Sequence, residues 1–302
     1  MSIEYLKTAH ADAKTEKAKP VNNWRQRYLR LRFGTLGLLF PHASTRYAYK
    51  LFATPRSRAK HWKTDAVIES AVVSDLMFDN LKIKIYEWGT GDKIVLLVHG
   101  WESRGTALRM FVNPLLKSGF KIVAYDAPAH GDSEGMELNL PTNARVIAAV
   151  MEKFGGVFQG AIAHSFGCTS IIFALQHINP KLTVERVVLL AVPPRIEIIL
   201  NGFMNRVQAP TQLRKYIFKK IHGIHPNLEN FDAALSENKV NVKKLLLVHD
   251  LQDDVTPIKT AEVFEKNWGN AHLLITEGFG HYRLVKNPDV VRYIIAFIGA
   301  AI

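Results

Sequence analysis

The sequence predicts an α/β protein with a mostly parallel, eight-stranded sheet and helices on both faces. Short apolar runs alternate with helix-length segments along most of the 302 residues. The runs are continuous and rich in Val, Ile and Leu, which is typical of strands that are buried on both faces. Because 48% of the residues are hydrophobic and only 22% are charged, the composition excludes an intrinsically disordered chain.

The predicted sheet opens with a hairpin. Residues 71–78 and 81–87 show alternating patterns on either side of the turn dipeptide Asp79-Asn80. Six buried strands follow, at 94–98, 121–125, 158–163, 187–191, 245–248 and 273–276. The segments between and after them predict helices at 104–117, 142–154, 166–178, 260–267 and 289–299.

The alternation of strands and helices is interrupted at residues 193–242. This stretch begins with Pro193-Pro194 and predicts helical runs at 196–207, 211–222 and 228–236. Apolar residues recur at helical spacing in the first run, at Ile196, Ile199, Leu200, Phe203 and Met204. We therefore expect a helical insertion at 193–242 within a main domain that comprises 64–192 and 243–302.

Residues 1–63 form a separate basic arm. They hold fourteen Lys and Arg against three Asp and Glu, a charge of +11, whereas the other 239 residues hold 25 against 24. From Trp24 to Phe52, aromatic residues and leucines alternate with arginines, which predicts one or two basic amphipathic helices broken near Pro41. Residues 1–20 are polar, and we expect them to be frayed.

Three hypotheses for this arm stay open. The arm packs on the main domain with its charges solvated, or it lays aromatic side chains into a membrane surface, or it binds a nucleic acid. The sequence favours them in that order, because no nucleic-acid-binding signature accompanies the charge. No apolar run reaches the roughly 18 residues of a membrane-spanning helix, and the N-terminus has no signal-peptide core. We expect a soluble, cytoplasmic protein, with peripheral membrane contact through the arm as the alternative, and the oligomeric state stays open.

The cysteine and histidine content predicts neither a disulfide framework nor a catalytic metal. Cys168 is the single cysteine, and it falls on a predicted buried helix. The twelve histidines include no H-E-x-x-H pair.

Polar or glycine-containing turns follow five of the predicted strands. Since ligand sites in such sheets lie beyond the C-terminal ends of the strands, we expect these turns to form one site. The turns are His99-Gly100-Trp101, the stretch from Asp126 to Gly131, His164-Ser165-Phe166-Gly167, the stretch from His249 to Asp254, and Gly278-Phe279-Gly280-His281.

Ser165 lies between a predicted strand and a predicted helix, with Ala163 and Gly167 two positions away on either side. A sharp strand-to-helix turn needs small residues at these positions, and it lifts the hydroxyl above the sheet in front of the helix N-terminus. A serine hydroxyl is a weak nucleophile, so it needs a base, and the base needs an acid that orients it.

From about Leu81 to the C-terminus, the chain resembles the α/β-hydrolase superfamily. The resemblance rests on HGW at 99–101, DAPAHGDS at 126–133, AHSFG at 163–167, DDVTP at 253–257 and GFGH at 278–281. The chain departs from the family pattern at Ala163 and Ala129, where glycine is usual, and at Thr256, where valine is usual. The resemblance implies an α/β-hydrolase fold in which the insertion at 193–242 is a helical lid.

The same resemblance implies a serine hydrolase that needs no cofactor and cleaves a carboxylic ester or a thioester of a small-molecule or acyl substrate through an acyl-enzyme. Ser165 would be the nucleophile, His281 the base and Asp253 the orienting acid, in the chain order that the family uses. Asp254 is the next candidate for the acid, and Asp250 is the least favoured.

The resemblance further implies an oxyanion hole formed by the backbone N–H groups of Trp101 and Phe166. His99, Glu102, His164 and Phe203 are candidates for the substrate pocket; for His99 a structural role is the favoured alternative, and for His164 the sequence does not decide. Two other functions stay open. They are a lipase-like or lysophospholipase-like activity at a membrane surface and a non-catalytic small-molecule receptor of the same fold.

Overall fold

The computed structural model describes residues 2–6, 23–59 and 65–300. The chain divides into two compact units. The large unit comprises Met1–Ala13, Pro55–Pro193 and Asp232–Ile302, and the small unit comprises Lys14–Thr54 and Pro194–Phe231. Of the predicted basic arm, residues 1, 7–22 and 60–63 lie outside the described residues.

The large unit contains a sheet to which the described residues contribute nine strands. They are β1 (Ser2–Tyr5), β2 (Val72–Phe78), β3 (Leu81–Trp88), β4 (Ile94–Val98), β5 (Lys121–Tyr125), β6 (Val157–His164), β7 (Thr183–Leu190), β8 (Asn241–Asp250) and β9 (Ala271–Thr276). Their order across the sheet is β1-β9-β8-β7-β6-β4-β5-β3-β2. All neighbours are parallel except β2 with β3 and β3 with β5. The predicted α/β fold with a mostly parallel sheet is confirmed.

The ninth strand, β1, lies where the sequence predicts a frayed segment. It pairs in parallel with β9 at the sheet edge, with Ser2 opposite His272 and Tyr5 opposite Ile275. The strand has four residues, and the side chains of Ile3 and Tyr5 are exposed. Such a short and exposed strand carries no buried apolar run, which is the pattern that identifies the other strands.

Helices of the described residues cover the sheet or form the small unit. They are α1 (Asn23–Leu39), α2 (Pro41–Ala53), α3 (Ala66–Glu69), α4 (Val112–Lys117), α5 (Leu140–Lys153), α6 (Phe166–Phe173), α7 (Ile196–Arg206), α8 (Thr211–His222), α9 (Lys259–Asn267), α10 (Gly280–Arg283) and α11 (Pro288–Gly299). Asn139 and Asn287 cap α5 and α11 by accepting hydrogen bonds from backbone N–H groups of the first turn.

Two predicted helices differ in the structure. The stretch 104–117 forms a 3₁₀ helix at Gly105–Phe111 followed by α4, and the backbone departs from helical angles at Leu108. Pro114 lies in the first turn of α4, where its missing N–H costs no helical hydrogen bond. The helix predicted at 228–236 is wrong: the stretch consists of turns and the short 3₁₀ helix Ala233–Leu235. The N–H of Phe231 donates to the Leu228 carbonyl three residues earlier, which is the hydrogen bond of a turn and not of an α-helix.

The small unit joins the helices of the predicted arm to the predicted insertion. A Cβ on Gly37 would lie 3.3 Å from Leu213 Cδ2, so α1 approaches α8 closely at this glycine. The ring centroids of Phe52 and Phe203 are 5.6 Å apart, which connects α2 to α7. The predicted break near Pro41 is confirmed, since α2 begins at this residue.

The small unit carries all of the net charge. Its segments hold fifteen Lys and Arg against three Asp and Glu, a charge of +12, and the large unit holds 24 against 24. The insertion therefore adds to the excess that the sequence analysis assigns to the arm. Among the described residues, no helix combines the length and apolar character needed to cross a bilayer.

Candidate active site

Ser165 lies at the sharp turn between β6 and α6. Its backbone has φ +51° and ψ −122°, a conformation that L-residues adopt rarely and that marks a strained turn. A Cβ on Gly167 would lie 2.7 Å from the carbonyl oxygens of both Val98 and His99, so only glycine lets α6 begin this close to the end of β4. The turn predicted from the small residues around Ser165 is therefore present.

His281 connects Ser165 to Asp253. Its Nε2 lies 3.0 Å from Ser165 Oγ, and its Nδ1 lies 2.8 Å from Asp253 Oδ2. The imidazole is buried at the start of α10, which follows β9. Because the Asp253 carboxylate accepts a hydrogen bond from the Nδ1–H group, the neutral tautomer of the ring has an unprotonated Nε2 that faces the serine hydroxyl.

The turn after β8 holds Asp253. Asp253 Oδ1 accepts hydrogen bonds from the backbone N–H groups of Val255 and Thr256, both at 2.8 Å, and Oδ2 accepts one from Thr256 Oγ1 at 2.8 Å. Burial alone raises the pKa of Asp253, but the hydrogen bonds from His281 and from the backbone outweigh it and lower the pKa below its usual value. The neighbouring Asp254 is exposed.

Asp250 braces the loop that carries His281. Its buried carboxylate accepts hydrogen bonds from the N–H groups of Phe279 at 3.1 Å and Gly280 at 3.0 Å, and from Thr276 Oγ1 at 2.8 Å. From the sequence, Asp250 was only the least favoured candidate for the orienting acid. Its position at the end of a buried strand was the available signal for a structural role.

The backbone N–H groups of Trp101 and Phe166 belong to the turns after β4 and β6. Neither group has a hydrogen-bond acceptor among the residues that the structure describes. The two rings meet edge to face with centroids 5.7 Å apart. Glu102 follows Trp101 with φ +53°, and its N–H donates to His130 Nε2 at 3.0 Å, which fixes the turn.

Two of the pocket candidates, His99 and His164, are buried and hydrogen-bonded to backbone. His99 Nε2 accepts from the Ala127 N–H at 2.9 Å, and its Nδ1 lies 2.7 Å from the Gly100 carbonyl oxygen. His164 Nε2 donates to the His281 carbonyl oxygen at 3.0 Å. Burial lowers the pKa of His99 to about 3 and that of His164 to about 4, so both are neutral near pH 7.

The other pocket candidates are Glu102 and Phe203. Glu102 is half-buried, and its carboxylate accepts hydrogen bonds from the backbone N–H and the Nε of Arg56, at 2.7 and 3.1 Å. Phe203 belongs to the small unit. The assignment of all four candidates to a substrate pocket stays a prediction.

A buried polar network at the turns after β4 and β5 was not predicted from the sequence. Asp126 is fully buried and accepts hydrogen bonds from the Gly105 N–H at 2.7 Å and from Tyr86 Oη at 2.9 Å. Arg104 is buried, bonds Tyr86 and Asp132, and lies 3.8 Å from Asp126. Burial raises the pKa of Asp126 despite these donors. The available signal was an arginine in the turn after β4 and an aspartate directly after β5.

The described residues contain no group of three or more His, Cys, Asp and Glu side chains that could hold a metal ion. Cys168 is fully buried, as predicted, and burial raises the pKa of its thiol well above the usual value. Its Sγ lies 3.3 Å from the Ala163 carbonyl oxygen, so the side chain is part of the packing beneath the serine turn.

The model of the alpha/beta hydrolase family matches residues 95–276, more than half of the chain. The chain belongs to the α/β-hydrolase family. The match includes Ser165 and Asp253 and ends five residues before His281. The resemblance inferred from the motifs is confirmed at the level of the family, and the chain is a hydrolase of this family.

Solved structures of other proteins share the fold of this α/β hydrolase. They include a membrane phospholipase A described as a bacterial virulence factor (17% identity, TM-score 0.60, 92% of this chain and 98% of that chain covered). An esterase from Pyrococcus furiosus gives 19% identity and a TM-score of 0.58, with 82% of this chain and 95% of that chain covered. The thioesterase domain from the curacin biosynthetic pathway gives 17% identity and a TM-score of 0.57, with 76% of this chain and 99% of that chain covered. At these identities the likeness concerns the fold alone, and a comparison with curated proteins finds no match.

Proposed function

We propose that this α/β hydrolase cleaves a carboxylic ester or a thioester through an acyl-enzyme formed on Ser165. The proposal rests on the continuous hydrogen-bonded chain from Ser165 Oγ to His281 at 3.0 Å and from His281 to Asp253 at 2.8 Å. Both distances lie within the range expected for a nucleophile, its base and the group that orients the base.

In the first step, Ser165 Oγ attacks the carbonyl carbon of the substrate while its proton passes to His281 Nε2. The imidazolium that forms is stabilised by Asp253, whose lowered pKa keeps it ionised. The carbonyl oxygen becomes an oxyanion and accepts hydrogen bonds from the N–H groups of Trp101 and Phe166. Removing one such donor typically costs about 10² to 10³ in rate.

The tetrahedral intermediate then collapses. The bond from carbon to the leaving oxygen or sulfur breaks, and His281 donates its proton to the leaving alcohol or thiol. Water attacks the acyl-enzyme in the second half, with His281 again accepting the proton. The carboxylic acid leaves, and Ser165 regains its hydrogen from His281, so water is the only reactant needed besides the ester or thioester.

The adjacent aspartates supply a matched test of the proposal. We expect Asp253→Asn to lower kcat for a p-nitrophenyl ester by about 10³ to 10⁴, because the amide favours the wrong imidazole tautomer. Asp254→Asn changes the same exposed turn and is expected to stay within about twofold of wild type, since surface changes are usually small. Similar activity of both variants would contradict the role of Asp253.

The second candidate function is hydrolysis of lipid esters, of the lipase or lysophospholipase kind. It is favoured by the charge of +12 in the small unit, because a basic surface attracts anionic lipid. The two functions differ in substrate preference. A lysophospholipid would be cleaved with a higher kcat/KM than a soluble short-chain ester if this candidate is correct, and with a lower one if it is not.

A further inference from the structure

Helix α1 carries apolar side chains on two opposite faces. On the inner face, Phe33 is fully buried, and its ring lies 6.0 Å from that of Tyr47 on α2. The opposite face holds Trp24, Tyr28, Leu31, Leu38 and Leu39, whose exposed fractions run from 48% to 72%. At 3.6 residues per turn these five side chains fall within an arc of about 100°. We call them the outer face of α1.

The outer face is unusual for a protein surface. Single exposed apolar side chains are common, but a row of five on one helix is typical of a surface that contacts a partner. Phe40, between α1 and α2, is also exposed. The side chains include both aromatic residues of α1 that prefer interfaces between water and lipid, tryptophan and tyrosine.

The charge of the small unit identifies the kind of partner. Three of its helices, α1, α2 and α8, carry exposed basic side chains, namely Arg27, Arg46, Lys50, Lys215, Lys219 and Lys220. The described acidic residues of the unit are Glu197 and Glu229. A second copy of the chain would bring another charge of +12 against this surface, which electrostatic repulsion opposes. An anionic bilayer instead supplies both the opposite charge and an apolar interior.

We propose that the outer face of α1 docks the small unit onto the surface of anionic lipid bilayers. Trp24 and Tyr28 would lie at the level of the headgroups, and the three leucines would enter the boundary with the acyl chains. The basic side chains of the unit would lie near lipid phosphates and carboxylates. The helix would lie along the interface, because its exposed apolar side chains follow one side of the helix from Trp24 to Leu39. Docking through this face does not depend on the proposed role of Ser165.

The first experiment is flotation of the full-length protein with vesicles. We expect binding to phosphatidylcholine vesicles that contain about 30% phosphatidylserine, at least tenfold stronger than to phosphatidylcholine alone. Raising the salt concentration from about 0.1 M to about 0.5 M should weaken binding to the phosphatidylserine-containing vesicles by about tenfold or more, because salt screens the charges. Ser165→Ala is expected to bind as the wild type does, which separates docking from catalysis.

Matched variants test the face and the charge separately. The double variant Trp24→Ser with Leu31→Ser should weaken vesicle binding by at least tenfold, whereas Met136→Ser removes an equally exposed apolar side chain from the large unit and should leave binding unchanged. Lys215→Glu should weaken binding about fivefold or more relative to Lys266→Glu, which makes the same charge change on the large unit.

Three results would overturn the proposal. One is an absence of binding to anionic vesicles at low salt by a folded protein. Another is wild-type binding by the Trp24 and Leu31 double variant. The third is a wild-type dimer in sedimentation velocity that this double variant abolishes, without vesicle binding, since the outer face would then be an interface between copies.

Discussion

At the scale of single residues, Thr256 connects the parts of the candidate active site. Its hydroxyl donates to Asp253 Oδ2 and its N–H donates to Oδ1, both at 2.8 Å. Its carbonyl accepts from His249 Nε2 at 2.9 Å. The oxygen that accepts from His281 therefore has a second donor, which the valine common in the family would lack. Thr256 is a positioning residue in this account.

We expect Thr256→Val to lower kcat/KM for an ester substrate by about fivefold, because one hydrogen bond contributes about 1 kcal/mol. Thr256→Ser keeps the hydroxyl and should recover activity to within about twofold. Steady-state kinetics of the two variants, with thermal unfolding as a check on the fold, measure the effect. A loss of activity in the valine variant that serine does not recover would show that packing, and not the hydroxyl, matters.

At the scale of elements, the contact between the end of β4 and the start of α6 positions Ser165. The contact depends on Gly167, because a Cβ there would lie 2.7 Å from two backbone carbonyl oxygens. Backbone atoms at the centre of a sheet yield less easily than the end of a flexible side chain. A substitution that separates β4 from α6 should therefore also distort the turn that carries Ser165.

We expect Gly167→Ala to lower the free energy of unfolding by about 1 to 3 kcal/mol and to reduce kcat strongly. Gly202→Ala is the matched control, since nothing lies within 4 Å of a Cβ at this position on α7. The control should be neutral or stabilise by up to about 1 kcal/mol, because alanine favours helix. Urea unfolding of both variants makes the comparison, and a Gly167→Ala protein as stable as wild type would contradict it.

The elements also show what the sequence could and could not predict. Buried strands such as β4 have continuous apolar runs, so the sheet was predictable. The turn at Ser165 was predictable because the small residues Ala163 and Gly167 flank it. The choice of Asp253 over Asp254 depends on the hydrogen bonds of one turn, and the sequence could only rank the two. The association of α1 and α2 with α7 and α8 rests on contacts between distant segments, which no local pattern contains.

At the scale of the whole molecule, buried neutral histidines couple folding to pH. His99 and His164 are buried, and burial lowers their pKa values to about 3 and about 4. In the unfolded chain both titrate near pH 6.5. Between that pH and about pH 4 the unfolded chain binds protons that the folded protein does not bind. Stability is therefore complete above about pH 6.5 and falls as the pH decreases through this window.

We expect each of these two histidines to cost about 2 kcal/mol of stability at pH 5 relative to neutral pH. Urea unfolding at about pH 7.5 and about pH 5 measures the total pH dependence, to which the buried His130 and His249 also contribute because burial lowers their pKa values too. His164→Gln keeps a donor for the His281 carbonyl and removes one titrating group, so its stability should depend less on pH by about 2 kcal/mol. An unchanged pH dependence in this variant would contradict the buried neutral state of His164.

Covalent labelling with a fluorophosphonate tests most directly whether Ser165 is an activated nucleophile. We expect one adduct, mapped to Ser165 by peptide mass spectrometry, and none on Ser165→Ala. His281→Gln should slow the labelling by about 10³ or more, because the base is lost. A folded wild-type protein that is not labelled, or that is labelled at another serine, would contradict the central claim.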